Sequence, residues 1–358
     1  MRRLQTLILI LSFFLLYGEM DFRLIPHITR LEYEVHDSLY FRLAPSQVGY
    51  EWLARMTRKS PPITINSLGL RGPEVDVRAV GRYRILAVGS SSALGSGVED
   101  DETWTAVLEK NLRNLGFFAD VMNAGNPGWG PYQHATFLKE EAFRYRPHAA
   151  VVMVAKGDFG FLPKGTEAER LEFLRESRRR KRLASVSPFL TYAYRKANVL
   201  LSRSKNMLIA AISKSFASAS AAKQIEQKGR GSAPSVRWKR HVEYWEAIAN
   251  WAETKEIPVL FFVPNPDGDP MMNQVVRHLE SLALSHPFVR VASLKPSDLM
   301  ETPNDGLDEW VERNLRIPGD GHPNALYHRI MGEWLSRHEV FTSGWMMSRL
   351  SLLQELGE

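Results

Sequence analysis

The stretch from Tyr83 to Glu109 constrains the fold of this chain more than any other. Residues 84–88 form a short, mostly apolar run that ends at Gly89, a pattern typical of a central strand in a parallel sheet. The small residues 89–93 follow at once, and a helical pattern begins after them. In open α/β sheets such a turn lies at the carboxyl ends of the strands, where ligands bind. Its serines are therefore candidates for chemistry, although a Ser-rich connector without any function has the same pattern.

A histidine with an acid two residues before it lies far downstream, in the segment PGDGHPN at residues 318–324. A helical pattern follows this segment over residues 325–335. A histidine oriented by a carboxylate is the arrangement that activates a serine hydroxyl as a nucleophile. The pair Asp320 and His322 is weak evidence by itself, because a helix-capping Asp and a surface His often occur together by chance.

Taken together, these segments resemble the SGNH (GDSL-type) hydrolase superfamily, whose motifs occur here in family order over about residues 64–336. The first block of that family, usually Gly-Asp-Ser, corresponds to Gly89-Ser90-Ser91, and the family-like GVEDDETW follows at residues 97–104. The glycine of the second block corresponds to Gly125. The third block, usually Gly-x-Asn-Asp, corresponds to AKGD at residues 155–158, and the fifth corresponds to DGHP at residues 320–323.

The resemblance implies a role for each matching residue. Ser91 would be the nucleophile, His322 its general base and Asp320 the acid that orients the imidazole. The family acid usually stands three residues before the histidine, where this chain has Gly319, so we interpret Asp320 as a variant of that pattern. The backbone N–H groups of Ser91 and Gly125 would bind the oxyanion.

Two positions depart from the family pattern. Ser90 replaces the first-block Asp, which mainly shapes the turn, and Gly157 stands where the third-block Asn would donate its side chain to the oxyanion. Asn126, next to Gly125, is the substitute donor that the sequence offers.

Alternating strand and helix patterns predict the fold class. Strands are predicted at residues 118–122 and 149–154 and helices at residues 104–115, with Thr103 as N-cap, and 133–145. This alternation predicts a three-layer, flavodoxin-like parallel sheet flanked by helices, the fold that the resemblance also implies. The chain of 358 residues is long enough for one such domain with additions.

Composition excludes several kinds of site. The chain has no cysteine, which rules out disulfides, thiolate metal sites and a lipoprotein anchor. The histidines outside the motifs show no paired ligand spacing, so each is interpreted as a core or surface histidine; they are His134, His148, His278, His286 and His328. We therefore predict neither a metal nor a cofactor.

The amino terminus reads as a targeting segment, because Arg2 and Arg3 precede the apolar run LQTLILILSFFLLY at residues 4–17. A bilayer span needs about 20 residues, more than this run supplies. A small-x-small cleavage site is missing, which favours an uncleaved signal anchor at residues 1–21 over a cleaved signal peptide. The rest of the chain is then expected on the periplasmic side of the inner membrane.

The remaining chain divides into four predicted parts: an extended lead-in at 22–80, an SGNH-like domain at 81–339, an insert within it at 160–236, and a helical tail at 340–358. The lead-in motif ITINSLGLRGPE at residues 63–74 reads as an alternating strand closed by a Gly/Pro turn, without obvious chemistry. The tail is interpreted as a helix packed on the domain, with partner docking as the alternative.

The insert is basic, with RESRRRKR at residues 175–182. One interpretation is a solvated helical cap beside the active site, and the other is a surface for anionic lipid head groups or an acidic envelope polymer. Nucleic acid is not expected as a partner despite the pI near 9.4, because the predicted location is wrong for it.

Two functions of different classes remain. The first is a membrane-anchored extracytoplasmic esterase or O-acyltransferase acting on an ester-bearing glycan or lipid-like substrate, with an O-acetyl group of an envelope glycan as the expected target. The second is a catalytically degenerate relative that binds a glycan or forms part of an envelope assembly, using the insert and the tail as contact surfaces. Retention of Ser91, Asp320 and His322 favours the first, and loss of the third-block Asn favours the second.

Overall fold

The structure is a computed structural model that describes residues 12–13, 16–17, 31–51, 60–160, 167–186, 234–265, 267–299, 306–342 and 345. Two compact units are present, one formed by residues 29–163 and 239–358 and the other by residues 1–28 and 164–238. Most of the predicted anchor, the insert from residue 187 to residue 233 and most of the tail lie outside the described residues. None of the helices within the described ranges has the length and apolar character needed to cross a membrane.

Within the described residues, four short strands precede the central sheet and form two antiparallel pairs. Strand β1 (Tyr33–His36) pairs with β2 (Tyr40–Leu43), and β3 (Gln47–Gly49) pairs with β4 (Ile63–Ile65). The alternating pattern of β4 buries its two isoleucines against the core. The lead-in then joins the sheet directly, because the N–H of Arg71 donates to the carbonyl oxygen of Asn123 at 2.9 Å.

The central sheet has five parallel strands in the order β6-β5-β7-β8-β9. They are β5 (Tyr83–Gly89), β6 (Ala119–Gly125), β7 (Ala149–Met153), β8 (Val259–Pro264) and β9 (Val289–Leu294). The first strand of this sheet along the chain is β5; β6 pairs with it on one side, and β7 pairs with it on the other and is followed outward by β8 and β9. This is the flavodoxin-like order, which confirms the predicted fold class, and its crevice lies at the carboxyl ends of β5 and β7.

Strand β5 is central because its sequence allows burial on both faces. All seven of its residues are buried, and it pairs with β6 along one edge and β7 along the other. Such continuous burial is what a parallel strand covered by helices requires. The turn after β5 is consequently held in a fixed position.

Helices connect and cover the strands. They are α1 (Ser91–Leu94), α2 (Trp104–Asn114), α3 (Pro131–Glu140), α4 (Glu167–Val186), α5 (Pro234–Lys255), α6 (Pro270–Ser285), α7 (Leu307–Asn314), α8 (Ala325–Arg337) and α9 (Glu339–Thr342). The N-cap predicted for α2 is confirmed, since the side chain of Thr103 accepts a hydrogen bond from the N–H of Ala106 at 3.2 Å. Helix α3 is shorter than predicted, because a separate single turn covers residues 142–145.

The described parts of the insert and the tail are helical. Helix α4 carries the basic run of the insert, and Arg175, Arg179 and Arg182 on it are exposed. In the tail, Phe341 of α9 is buried and Trp345 lies with its ring 4.7 Å from the guanidinium of Arg290. The start of the tail thus packs on the α/β unit, and the rest of the predicted tail helix lies outside the described residues.

Candidate active site

Ser91 begins helix α1 directly after β5, so the sheet fixes its position at the crevice. The turn before it depends on small residues: a Cβ added to Gly89 would lie 2.4 Å from the Cβ of Ala93. Ser90 is the N-cap residue, with extended backbone, and its side chain makes no capping hydrogen bond. The first N–H groups of a helix have no partner within the helix, so the N–H of Ser91 is left without a helical acceptor.

The structure brings the three predicted catalytic residues together. The Oγ of Ser91 lies 2.8 Å from Nε2 of His322, and Nδ1 of His322 hydrogen-bonds with Oδ1 of Asp320. An ionised carboxylate only accepts hydrogen bonds, so Nδ1 carries the proton and Nε2 is left as the acceptor for the Ser91 hydroxyl. The Asp320 side chain is 4% exposed and the imidazole is 26% exposed, which leaves the histidine reachable from the crevice.

The loop before α8 explains how an acid only two residues from the histidine reaches its ring. Gly319 and Gly321, on either side of Asp320, have positive φ angles of 73° and 86°. The loop closes on itself because the N–H of Ile317 donates to the carbonyl oxygen of His322 at 2.8 Å. Glycine adopts this left-handed backbone without strain, so the tight loop turns the carboxylate back onto Nδ1.

Gly125 occupies the position predicted for an oxyanion donor, but its N–H is already used within the chain. It donates to the side-chain oxygen of Asn123 at 2.9 Å. A Cβ at this position would lie 2.2 Å from the backbone nitrogen of Leu94, so the glycine is needed for the close packing of β6 against α1. In this conformation the N–H of Gly125 is therefore not available to a ligand.

Asn126 has unused hydrogen-bonding capacity beside the nucleophile turn. Its backbone N–H donates to the carbonyl oxygen of Gly89 at 2.9 Å, and only 4% of the residue is exposed. Within the described part of the chain its Oδ1 has no hydrogen-bond partner. Asn126 also lines a cleft with Leu70, Trp129 and Tyr145. A buried carbonyl oxygen without a partner is costly to keep unless a donor binds it, so this atom is an acceptor position and not itself an anion-binding one.

The third-block segment lies at the end of β7, as predicted, and brings a carboxyl to the turn. Asp158 is fully buried, and its Oδ2 accepts a hydrogen bond from the N–H of Ala155 at 2.8 Å. Burial raises the pKa of Asp158 to about 7, while hydrogen bonding with the side chain of Ser90 opposes the rise. A Cβ added to Gly157 would meet no atom within 4 Å, so this position is open.

Arg71 is a site residue for which the sequence analysis assigned no role. Its side chain is 1% exposed, and its guanidinium donates to the carbonyl oxygens of Leu94 and Val98 at 3.0 and 2.6 Å and to Oδ1 of Asp100 at 2.8 Å. It also donates to the carbonyl of Gly95. These bonds fix the end of α1. The only feature of the sequence that could have indicated a role for Arg71 is its place beside a glycine turn in the lead-in motif.

Two of the histidines that were interpreted as core or surface residues, His134 and His328, are buried in the core. Burial lowers the pKa of both His134 and His328 to about 3, and the positive charges of Arg71 and His322 lower that of His328 further. His328 accepts a hydrogen bond at Nδ1 from the N–H of Trp104 at 3.2 Å, which joins α8 to α2. His328 therefore ties the helix that follows His322 to the helix that follows the turn of Ser91.

No family model matches this sequence, and no curated protein does either. Solved structures do match. TesA shares 14% identity over 71% of this chain and 97% of its own, with a TM-score of 0.39. A putative lipolytic protein of the G-D-S-L family from Desulfitobacterium hafniense DCB-2 shares 15% identity over 71% of this chain and 98% of its own, with a TM-score of 0.38. AlinE4, an SGNH-hydrolase family esterase, shares 16% identity over 74% of this chain and 97% of its own, with a TM-score of 0.35. These are structures to which the chain is similar, each at low identity and with a TM-score below 0.5.

Proposed function

We propose that this protein is a serine ester hydrolase or O-acyltransferase that uses Ser91 as its nucleophile. The observation that carries the proposal is the hydrogen-bonded chain from Ser91 through His322 to Asp320, with 2.8 Å between the serine hydroxyl and the imidazole. A hydroxyl is a weak nucleophile unless a neighbouring base takes its proton, and this geometry supplies the base.

The reaction follows from the geometry. As the Oγ of Ser91 bonds to the ester carbonyl carbon, Nε2 of His322 takes the hydroxyl proton. The C–O bond to the alcohol then breaks, and His322 returns the proton to the departing alkoxide, leaving an acylated Ser91. Water or a second hydroxyl repeats the steps in reverse order, which gives either a free acid or a new ester. Asp320 stays ionised and stabilises the imidazolium.

The oxyanion formed at each step needs donors. The N–H of Ser91 at the start of α1 is one, and we assign the side-chain NH₂ of Asn126 as the other because Asn126 lies beside the turn, where its backbone N–H donates to the carbonyl oxygen of Gly89. Each preorganised donor of this kind contributes roughly 10² to 10³ in kcat. Gly125 is left out because its N–H is bonded to Asn123.

The expected substrate is an O-acetyl ester of an envelope glycan, with a lipid-like ester as the alternative. The charged start and apolar run at residues 2–17 support an inner-membrane anchor with the domain in the periplasm. The exposed arginines of α4 support contact with an anionic envelope surface or protein partner. A reporter that works only in the periplasm, fused after Glu358, tests the location, and an amino-terminal sequence starting near Glu19 would indicate cleavage instead.

A second function, binding without turnover, is favoured by one observation: Gly157 leaves the family's side-chain donor position empty. In that case the domain would hold a glycan or an envelope partner, and Ser91 would not react.

A serine-directed fluorophosphonate decides between the two functions. Purified protein is expected to be labelled at Ser91 and to hydrolyse an activated acetyl ester, and Ser91→Ala should lose both properties. Ser92→Ala is the matched control, because it removes the neighbouring hydroxyl of the same helix and should leave both intact. An unlabelled wild-type protein without turnover on any acetyl ester would replace the enzyme with the binding function.

A further inference from the structure

Glu51, at the end of the first described part of the lead-in, is connected to the nucleophile by hydrogen bonds. The hydroxyl of Ser96 donates to Oε2 of Glu51. Ser96 is 1% exposed, and its own N–H donates to the carbonyl oxygen of Ser91 at 3.1 Å. One buried serine thus joins the carboxyl of the lead-in to the backbone of the catalytic serine.

The carboxyl of Glu51 also lies within electrostatic reach of the catalytic pair. Burial raises the pKa of Glu51, the charges of His322 and Arg71 lower it, and that of Asp320 raises it. Tyr33 is a further titratable group facing it, since Glu51 contributes to the raised pKa of the Tyr33 phenol. Among the described residues, these four groups are the ones that act on Glu51 or respond to it.

We propose that Glu51 is a positioning residue of the active site, which holds the turn after the nucleophile through Ser96 and places a second carboxylate near the Asp320–His322 pair. This proposal rests on the proposed function. A negative charge near an imidazole favours its protonated form. Because the imidazole becomes positively charged as Ser91 attacks, the ionised form of Glu51 stabilises the transition state more than the ground state. The lead-in then completes the catalytic centre.

Two variants separate the charge of Glu51 from its hydrogen bond with Ser96. Glu51→Gln keeps an oxygen for the Ser96 hydroxyl and removes the charge. Ser96→Ala removes the hydrogen bond and keeps the charge. Glu74→Gln is the matched control: Glu74 belongs to the same lead-in and accepts hydrogen bonds from the hydroxyl and the N–H of Ser67 at 2.5 and 2.8 Å, but it lies at the surface.

The first measurement is the pKa of His322, followed by NMR in a Ser91→Ala background so that no activity is needed. Glu51→Gln is expected to lower this pKa, because a nearby negative charge is lost. Ser96→Ala and Glu74→Gln should leave it close to the Ser91→Ala value. An unchanged His322 pKa in Glu51→Gln would overturn the electrostatic part of the proposal.

The second measurement is the pH profile of ester turnover with Ser91 present. Glu51→Gln is expected to lower kcat about tenfold with KM little changed, and to move the acid limb of kcat/KM to lower pH. Ser96→Ala should lower kcat without moving that limb. If both variants turn over the ester as fast as the Glu74→Gln control, the positioning role is overturned. If Glu51→Gln does not fold, Ser96→Ala decides alone: turnover equal to that of the control overturns the role.

The two proposals fail in distinguishable ways. If Ser91 is unreactive in the wild-type protein but the pKa of His322 depends on Glu51, the proposed enzymatic function is wrong and the electrostatic effect of Glu51 on His322 stands. If Ser91 is reactive but neither kcat nor the pKa of His322 changes in Glu51→Gln, the enzymatic function stands and Glu51 is not a positioning residue.

Discussion

The hydroxyl of Ser91 lies 2.8 Å from Nε2 of His322, although 231 positions separate the two residues in the chain. Packing of α2 against α8 brings them together: the N–H of Trp104 donates to His328 at 3.2 Å. A Cβ added to Gly332 of α8 would lie 2.6 Å from the Cβ of Val107, so the glycine allows this close contact. The catalytic geometry is therefore a property of the helix layer as much as of the motifs.

Removal of two members of the triad is expected to cost little more than removal of one. Ser91, His322 and Asp320 act in the same proton transfer, so Asp320→Ala made on top of His322→Ala should change kcat less than threefold, by our rough estimate from such non-additivity. Steady-state turnover of an activated ester measures this. Independent multiplication of the two effects, or a silent single variant, would contradict the triad.

Asn126→Ala is expected to lower kcat roughly 10² to 10³-fold, the range for one preorganised donor, with KM little affected. The reason is that its amide acts on charge that develops only in the transition state. Asn111→Ala serves as the control, because Asn111 donates a long 3.4 Å hydrogen bond to Ser336 on the packed helices away from the turn. Full activity of Asn126→Ala would show that another group meets the oxyanion.

Gly157→Asn is expected to restore turnover to the Asn126→Ala variant by roughly tenfold or more, since it returns a side-chain donor to the family position. The substitution fits sterically, because a Cβ at residue 157 meets no atom within 4 Å. On the wild-type background the change should be small. A large gain there would mean that the wild-type site lacks its second donor and that Asn126 does not supply it.

Arg71→Lys is expected to lower the free energy of unfolding by about 3 kcal/mol, because a lysine cannot reproduce the planar set of donors and leaves buried carbonyls unpaired. Those carbonyls belong to Leu94, Gly95 and Val98. Urea unfolding measures the change, with exposed Arg78→Lys as the control. Equal stabilities of the two variants would show that Arg71 does not hold the end of α1.

Asp158→Asn is expected to change the pH dependence of stability. The folded-state pKa of Asp158 is raised from 3.8 to about 7, so the folded protein binds a proton that the unfolded chain releases, and this contribution falls as pH rises from 4 to 7. Relative to the variant, the wild type should lose about 4 kcal/mol over that window and then remain constant.

Urea unfolding at several pH values tests this, and Asp298→Asn is the matched control. Asp298 also accepts a backbone hydrogen bond from the residue three positions before it, at 2.8 Å, but it is exposed. Parallel pH curves for the wild type and Asp158→Asn would show that the Asp158 carboxyl is ionised in the folded protein at low pH.

The sequence determined those parts of the site that depend on local pattern. The apolar run of β5 stopped by Gly89 predicts a buried strand followed by a turn at the carboxyl edge of the sheet, because burial on two faces needs continuous apolar residues. The motif positions identified Ser91, Asp320 and His322, and the structure brings their side chains together. Asp320 was interpreted as a variant of the family spacing, and the positive φ angles of Gly319 and Gly321 then showed the tight loop that brings its carboxylate to the imidazole.

Only the tertiary structure decided which backbone and side-chain groups are already occupied. Gly125 matches the family by position, yet its N–H is bonded to Asn123. Arg71 and Glu51 lie in a lead-in without a recognisable catalytic pattern, and they reach the nucleophile turn because the lead-in folds against β6 and α1. Hydrogen bonds between segments distant in sequence leave no periodic signal in either one, so their partners become identifiable only when the chain is folded.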